Sequence, residues 1–270
     1  MTLDPARLQA FARYRILLAE RDDWREGRVA VLGDSVLVAR ARPNGDVLLA
    51  LGESDEVIDL LDGEARLHHR SEAPGAMWLS APRAVDVPPW VLDALRLAPA
   101  TQWDWMSIDT MPDGDVDQRV RRLDLAPGSS DVEEARALLA VANPISTADP
   151  LGDGEVAWFA VSESAPAHGP AGEAGAAVGV IGARLAQGDP ARDGSFSWHL
   201  HGLGVAPGAR RAGYGAALTT AAVRAGLAAG ADWVSLGLYA DNDAARRIYT
   251  RIGFRLEAEM ASYAPATLAR

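Results

Sequence analysis

The sequence predicts an α/β protein with a mixed sheet and flanking helices, and three observations carry that reading. Short apolar runs such as VAWFAVSE alternate with longer alanine- and leucine-rich stretches such as GYGAALTTAAVRAGLAAG, the strand and helix patterns of an α/β chain. Capping residues bracket the longer stretches, with Ser129 and Ser130 before one, and Gly230 and Gly253 after two others. The apolar fraction of 49% is enough for a real core.

The 270 residues leave room for one large domain or two modest ones, and the composition divides them in two. The polar stretch DTMPDGDVDQ, Asp109 to Gln118, carries Pro112 and Gly114 with few apolar anchors and reads as a linker. The expected domains are therefore a smaller α/β domain at 1–113 and a larger one at 118–270.

In the first domain, Pro5 to Glu20 reads as a helix. VAVLGDSVLVARA and DVLLALGE read as strands around a turn at RPNGD. SDEVIDLLDG reads as a helix with Ser54 as N-cap, AMWLS as a strand, and PPWVLDALRL as a helix opened by proline. QWDWMSID is a strand that places Trp103 and Trp105 on one face, as packing residues. His68 and His69 are expected at the surface.

The second domain reads β-α-β-β-β-α-β-α-β. RVRRLDLA is a strand, and SSDVEEARALLAVA is a helix with Glu133 in its first turn. PISTADPLGDGE is a loop. VAWFAVSE and AAVGVIGARLA are strands joined by the loop SAPAHGPAGEAG. SFSWHLHGLGV is a strand, GYGAALTTAAVRAGLAAG a helix, WVSLGLYA a strand, NDAARRIYTRIG a helix and FRLEAEMASYA the last strand.

Composition narrows the chemistry. There is no cysteine, so disulfides, thiolate metal sites and cysteine nucleophiles are excluded. No metal is expected. The net charge of -11 lacks the basic face that nonspecific nucleic-acid binding requires. No run approaches the roughly 18 apolar residues of a membrane span. The first residues include Asp4 and Arg7 and no long apolar segment, so a cytoplasmic location is the expectation.

One stretch, GVAPGARRAGYGAAL, points to a ligand. Glycines between a strand and a helix let backbone N–H groups approach an anion. The helix start adds unpaired amides and the positive end of its dipole, and arginine adds charge-assisted hydrogen bonds to phosphate. A Walker-type loop is ruled out because the chain has no lysine. A dinucleotide fingerprint fails because Leu218 stands where its third glycine belongs.

The loop resembles the R/Q-x-x-G-x-G/A motif of the GNAT superfamily of acyl-CoA-dependent N-acetyltransferases, with Arg210, Gly213 and Gly215 at its three positions. The L-x-V-x-P pattern before it appears as Leu203, Val205 and Pro207. The N-x-x-A-x-x-x-Y-x-x-x-G-F pattern after it appears as Asn242, Ala245, Tyr249, Gly253 and Phe254. The resemblance covers about residues 118 to 270.

It implies acetyl-CoA as cosubstrate. Backbone groups of Leu203 and Val205 would meet the pantetheine arm, with the Val205 N–H beside the acetyl carbonyl as an oxyanion donor. Backbone amides of Arg211, Ala212, Gly213, Tyr214, Gly215 and Ala216, with Arg210, would hold the pyrophosphate. Asn242 would contact the cofactor or merely cap its helix. Tyr249 would be the general acid toward the departing thiolate, or only part of the apolar stripe it shares with Ala245, Ile248 and Ile252.

Several family members place a glutamate base six residues before Val205. Here that position is His199, with His201 on the same strand face. Both are candidate bases, and removal of His199 is expected to cost more turnover than removal of His201.

The partner implied is a small-molecule or peptide amine, and the reaction is acetyl transfer by direct attack in a ternary complex. The alternative is a non-catalytic acyl-CoA-binding regulatory protein. Two readings remain for the first domain. One is a degenerate GNAT-like copy that walls the acceptor cleft; the other is an unrelated partner-binding or homodimerisation module.

Overall fold

The computed structural model describes residues 11–24, 26–70, 75–164 and 175–267. The first half contains helices α1 (Arg15–Ala19) and α2 (Arg21–Trp24) and strands β1 (Arg28–Leu32), β2 (Ser35–Arg40) and β3 (Val47–Leu51). Helix α3 (Ser54–His69), β4 (Trp78–Pro82), α4 (Pro89–Leu95) and β5 (Ala98–Ile108) follow. The second half contains β6 (Val120–Arg122), α5 (Ser130–Ala142), β7 (Glu155–Ser162), β8 (Ala177–Gln187) and β9 (Phe196–Val205). It ends with α6 (Tyr214–Ala228), β10 (Val234–Tyr239), α7 (Asp243–Ile252) and β11 (Arg255–Ala264). The second half thus has the expected order, and Asp109 to Gln118 joins β5 to β6 without a strand or helix.

Three local expectations change. The run VAVLGDSVLVARA is a hairpin, because Gly33 at φ +51° makes a turn between β1 and β2. Ser54 is the first residue of α3 rather than its cap. Glu53 takes the cap position, and its own N–H donates to Ser35 Oγ at 2.9 Å. Of the expected Pro5 to Glu20 helix, residues 5–10 lie outside the described residues, and the remainder holds α1 alone. The loop SAPAHGPAGEAG also lies mostly outside them.

All eleven strands form one sheet in the order β1-β2-β3-β4-β11-β5-β10-β9-β8-β7-β6. Neighbours are antiparallel except β3/β4 and β9/β10. Those two parallel pairs are the ones joined by crossover helices, α3 and α6, as parallel pairing requires. Around the β11/β5 pair the order is a near-palindrome. The last strand of each half has crossed into the other: β11 lies between β4 and β5, and β5 lies between β11 and β10.

Each half has its own core on the crossover-helix side. Leu218, Ala222 and Val223 of α6 pack with Ile181, Trp198 and Leu200. Val57, Leu61, Val91 and Leu95 of α3 and α4 pack with Leu37, Leu48 and Leu79. A further cluster draws on both halves: Leu17, Leu18 and Trp24 of α1 and α2 with Val36, Val38, Trp105, Trp233 and Met260. Trp103 packs partly buried against the same cluster, so the two tryptophans share a face as the alternation predicts.

Asp104 on β5 is fully buried and is paired with Arg83 from the first half and Arg246 on α7 from the second. His68 differs from its surface assignment. Its side chain is 7% exposed and faces Glu64, one helical turn earlier, and Asp46. These three are the group at metal-ligand spacing among the described residues. The Arg28 guanidinium already pairs with both carboxylates, which makes the cluster an ion-pair network.

Candidate active site

The site begins where β9 and β10 part. Their parallel register runs only from Trp198/Val234 to Leu200/Leu236. The cause lies in β9. Its pairing with β8 slips between Val180/Gly204 and Gly182/His201, where Gly202 adopts φ +61°. A bulge of this kind bends its strand. Only glycine fits, because a Cβ at Gly202 would sit 2.9 Å from Ala148 Cβ and 3.1 Å from the Trp158 ring. The divergence opens a cleft of about 240 Å³, lined by Leu203, Leu236, Leu238, Asn242, Ala245 and Tyr249 among others.

The glycine loop follows β9, and Gly215 lies beside Leu203 of the cleft wall, whose Cδ2 a Cβ there would meet at 3.9 Å. After a short 3-10 turn (Pro207–Ala209), Arg211 stands at φ +67° and Gly213 at φ +85°. Residues of this handedness turn successive amides inward, as in anion-binding nests. The first intrahelical bond of α6 recorded at this end runs from Ala217 N–H to the Gly213 carbonyl, 3.0 Å. Amides at the start of a helix have no intrahelical acceptor. The segment from Arg211 to Ala216 thus combines a nest with a helix N-terminus.

The side chains divide differently. Arg210, also exposed, bonds back onto the chain, its Nε donating to the Val205 carbonyl and an Nη to the Ala142 carbonyl, each 3.1 Å. It therefore ties the loop to β9 and α5. Arg211 is exposed at the surface. Tyr214 is buried beneath the Arg119 guanidinium, 4.9 Å from its ring centroid. Asn143 Nδ2 donates to the Leu203 carbonyl at 3.3 Å. Asn242 caps α7, its Oδ1 accepting from Ala245 N–H at 3.1 Å, and it also lines the cleft.

Tyr249 is 7% exposed, packs against Phe254 at 5.7 Å between ring centroids and lines the cleft. Burial pushes its phenol up to about 12, because the phenolate would lose its hydration. The phenol therefore stays protonated across the physiological range.

A second cavity, of about 500 Å³, adjoins the first and shares Asn143, His201, Gly202 and Tyr239 with it. Its walls come from the loop after α5 and from Glu155, Arg184, His199 and His201. A smaller one of about 210 Å³ continues past Asp153, Arg184 and His199 to Ala19, Glu20 and Trp105 of the first half. The Arg184 guanidinium lies 3.7 Å from Glu20.

The two histidines have different surroundings. His199 Nδ1 lies 3.0 Å from Ser235 Oγ. Burial, reinforced by the charges of Arg184 and His201, pulls its pKa down to about 3. That makes it a weaker proton acceptor than an ordinary imidazole. His201 Nε2 lies 2.9 Å and 3.1 Å from the two carboxylate oxygens of Glu155, which also accepts from Trp158 Nε1 at 2.6 Å.

Of the motif residues, Leu203, Asn242 and Tyr249 come together in one cleft, and Arg211 to Ala216 lie in one loop and helix start. The motifs did not identify Asn143, Arg184 or Tyr239, which come from elements with no motif. Gly202 carried a readable signal, since a glycine inside a strand marks a bulge or a close approach.

Comparison with known proteins agrees with this geometry. Residues 136–254 match the family model of the acetyltransferase (GNAT) family. No curated protein matches. Among solved structures, a GCN5-related N-acetyltransferase from Kribbella flavida is 18% identical, with 97% of this chain and 95% of that one covered at a TM-score of 0.52. A GNAT-family acetyltransferase from Colwellia psychrerythraea is 12% identical, with 97% and 98% covered at 0.53. A GNAT-family structure from Novosphingobium aromaticivorans is 20% identical, with 97% of both chains covered at 0.51. Those coverages extend the shared fold over both halves. The chain has a GNAT-type α/β fold, within which residues 136–254 match the acetyltransferase (GNAT) family model.

Proposed function

We propose that the protein transfers the acetyl group of acetyl-CoA to a primary amine of a small molecule or peptide by direct attack in a ternary complex. The observation that carries the reading is the junction of two cavities at Asn143, His201, Gly202 and Tyr239. The wall of one includes Leu203, which borders the glycine loop at Gly215, and the other is lined by polar side chains such as Glu155, Arg184 and His199. Two substrates entering from the two cavities would meet at that junction, without a covalent enzyme intermediate.

The residues present fit acetyl-CoA. The nest and helix start at Arg211 to Ala216 suit its pyrophosphate. The diverging β9 and β10 offer backbone at Leu203 and Val205 to its pantetheine arm. Bound there, acetyl-CoA would supply an activated thioester carbonyl. Tyr249 holds its proton and can donate a hydrogen bond to developing negative charge on sulfur. A thiol titrates near ~8.5, well below a phenol near 12, so stabilisation by hydrogen bond is favoured over complete proton transfer.

The first half is read as a degenerate copy of the same topology. Its β3-α3-β4 crossover mirrors β9-α6-β10 in the sheet order. Its connection, however, has shrunk to Gly52 and Glu53, and Asp55 and Glu56 occupy the first turn of α3. Carboxylates in that turn repel the anion that the corresponding turn of α6 would attract. Ala19, Glu20 and Trp105 instead wall the acceptor space.

Release of CoA over a panel of primary amines, with thermal shift by acetyl-CoA as the binding control, tests the function. Turnover on at least one amine is expected. Acetyl-CoA stabilisation without turnover on any of them favours the non-catalytic binding reading.

A further inference from the structure

We infer that Glu155 is a positioning residue that fixes His201 as its Nε2–H tautomer and so leaves Nδ1 as the nitrogen able to accept a proton. The inference rests on the reading above, with His201 accepting the proton of the attacking amine.

The argument is one of donor and acceptor inventory. An ionised carboxylate only accepts hydrogen bonds. Glu155 places both oxygens within reach of Nε2, at 2.9 Å and 3.1 Å. Nε2 must therefore carry a hydrogen, and a neutral imidazole then has its lone pair on Nδ1. Among the described residues, Nδ1 of His201 has no hydrogen-bond partner. The carboxylate is itself fixed, being 8% exposed and bonded to Trp158 Nε1 at 2.6 Å. The Trp158 ring meets the imidazole edge-on, with centroids 5.7 Å apart and planes at 87°. Gly182 makes room for that ring, since a Cβ there would come within 2.6 Å of it.

His201 is thus held on two sides and lines both the cofactor cleft and the acceptor cavity. The proton balance is simple. The proton leaves the amine nitrogen for Nδ1, and the imidazolium charge faces the Glu155 carboxylate. Solvent in the open acceptor cavity then takes the proton away. His199 stands where several family members have a glutamate. The carboxylate is supplied instead from β7 and acts through His201.

The test combines spectroscopy with kinetics on the full chain. Long-range nitrogen-15 to proton correlation on histidine-labelled protein, with His201 assigned by its loss in His201→Ala, reads the tautomer directly. The wild type is expected to carry the proton on Nε2. In Glu155→Gln the amide can donate to Nε2, so the population moves to the Nδ1–H form. Turnover falls about a hundredfold, the lower end of a general base's contribution, while acetyl-CoA affinity is unchanged.

Two acting as one unit are not additive, so Glu155→Gln costs nothing further in the His201→Ala background. Glu155→Asp, which keeps the charge, restores the Nε2–H form and most of the turnover; it also serves if Glu155→Gln fails to fold. An Nδ1–H wild type, a tautomer indifferent to Glu155→Gln, or additive losses would overturn the inference. If His201→Ala keeps full turnover while the tautomer still follows Glu155, the positioning stands and the reading of His201 as base falls.

Discussion

At the scale of single residues, protonation separates side chains that the sequence could only group together. Tyr249 is buried and His199 partly buried, and loss of water acts on them with opposite signs because the phenol ionises to an anion and the imidazole to a cation. For Tyr249 the expected outcome is specific. Tyr249→Phe lowers kcat about a hundredfold, with acetyl-CoA affinity by calorimetry unchanged, because the ring and its packing on Phe254 survive. For His199 the consequence is in stability. Its folded pKa of about 3 lies below the ordinary value of 6.5, so the unfolded chain binds the proton first as pH falls. Its contribution is therefore complete above about pH 6.5 and is lost progressively toward pH 3. His199→Asn should flatten the dependence of unfolding free energy on pH in that window by close to one proton, as measured by urea titration. An unchanged slope would contradict the lowered pKa of the imidazole.

At the scale of elements, two glycines have positive φ for different reasons. Gly213 is at φ +85° with nothing within 4 Å of its absent Cβ. Gly213→Ala should therefore cost about 1 kcal/mol of stability, the left-handed backbone penalty alone. It should weaken acetyl-CoA binding about tenfold, since relieving the strain rotates the loop amides. Gly202 is crowded by Ala148 and Trp158 as well as strained. Gly202→Ala should cost about 2 to 3 kcal/mol and impair acetyl-CoA and amine KM together, because the bulge borders both cavities. Chemical denaturation and steady-state kinetics separate the two patterns. The loop was readable because spacing and residue type define its chemistry locally. At Gly202 the glycine inside a strand was the readable signal, but the bulge itself is set by how the neighbouring strand pairs.

At the scale of the whole molecule, the two halves exchange strands. Residues 118–270 alone would lack β5, leaving β10 and β11 each without the neighbour that β5 provides. They would also lose the Asp104 carboxylate that pairs with Arg246 on the helix bearing Tyr249. A separated 118–270 fragment is expected to lack a cooperative unfolding transition, whereas the full chain unfolds in one step with coincident fluorescence and circular dichroism. In the intact chain, Asp104→Ala should cost about 3 kcal/mol, since it removes the buried carboxylate that Arg83 and Arg246 share and leaves Arg83 only its ion pair with Glu259. Two independent transitions in the full chain would show that the exchanged strands do not couple the halves.

The sequence by itself determined what depends on local order along the chain. It set the element order of the second half, the glycine loop, the Asn242-to-Phe254 pattern and the family they indicate, because caps, periodicity and motif spacing are fixed over a few turns of backbone. Only the tertiary structure decided which half each terminal strand serves, that Ala19, Glu20 and Trp105 of the first half share a cavity with His199, and that His201 rather than His199 has a carboxylate partner. Strand exchange depends on pairing partners more than a hundred residues apart, as with Met260 and Trp103. The environment of each histidine depends on neighbouring strands and on how far water is excluded. Neither property is carried by residue type or spacing along one strand, on which His199 and His201 are equivalent.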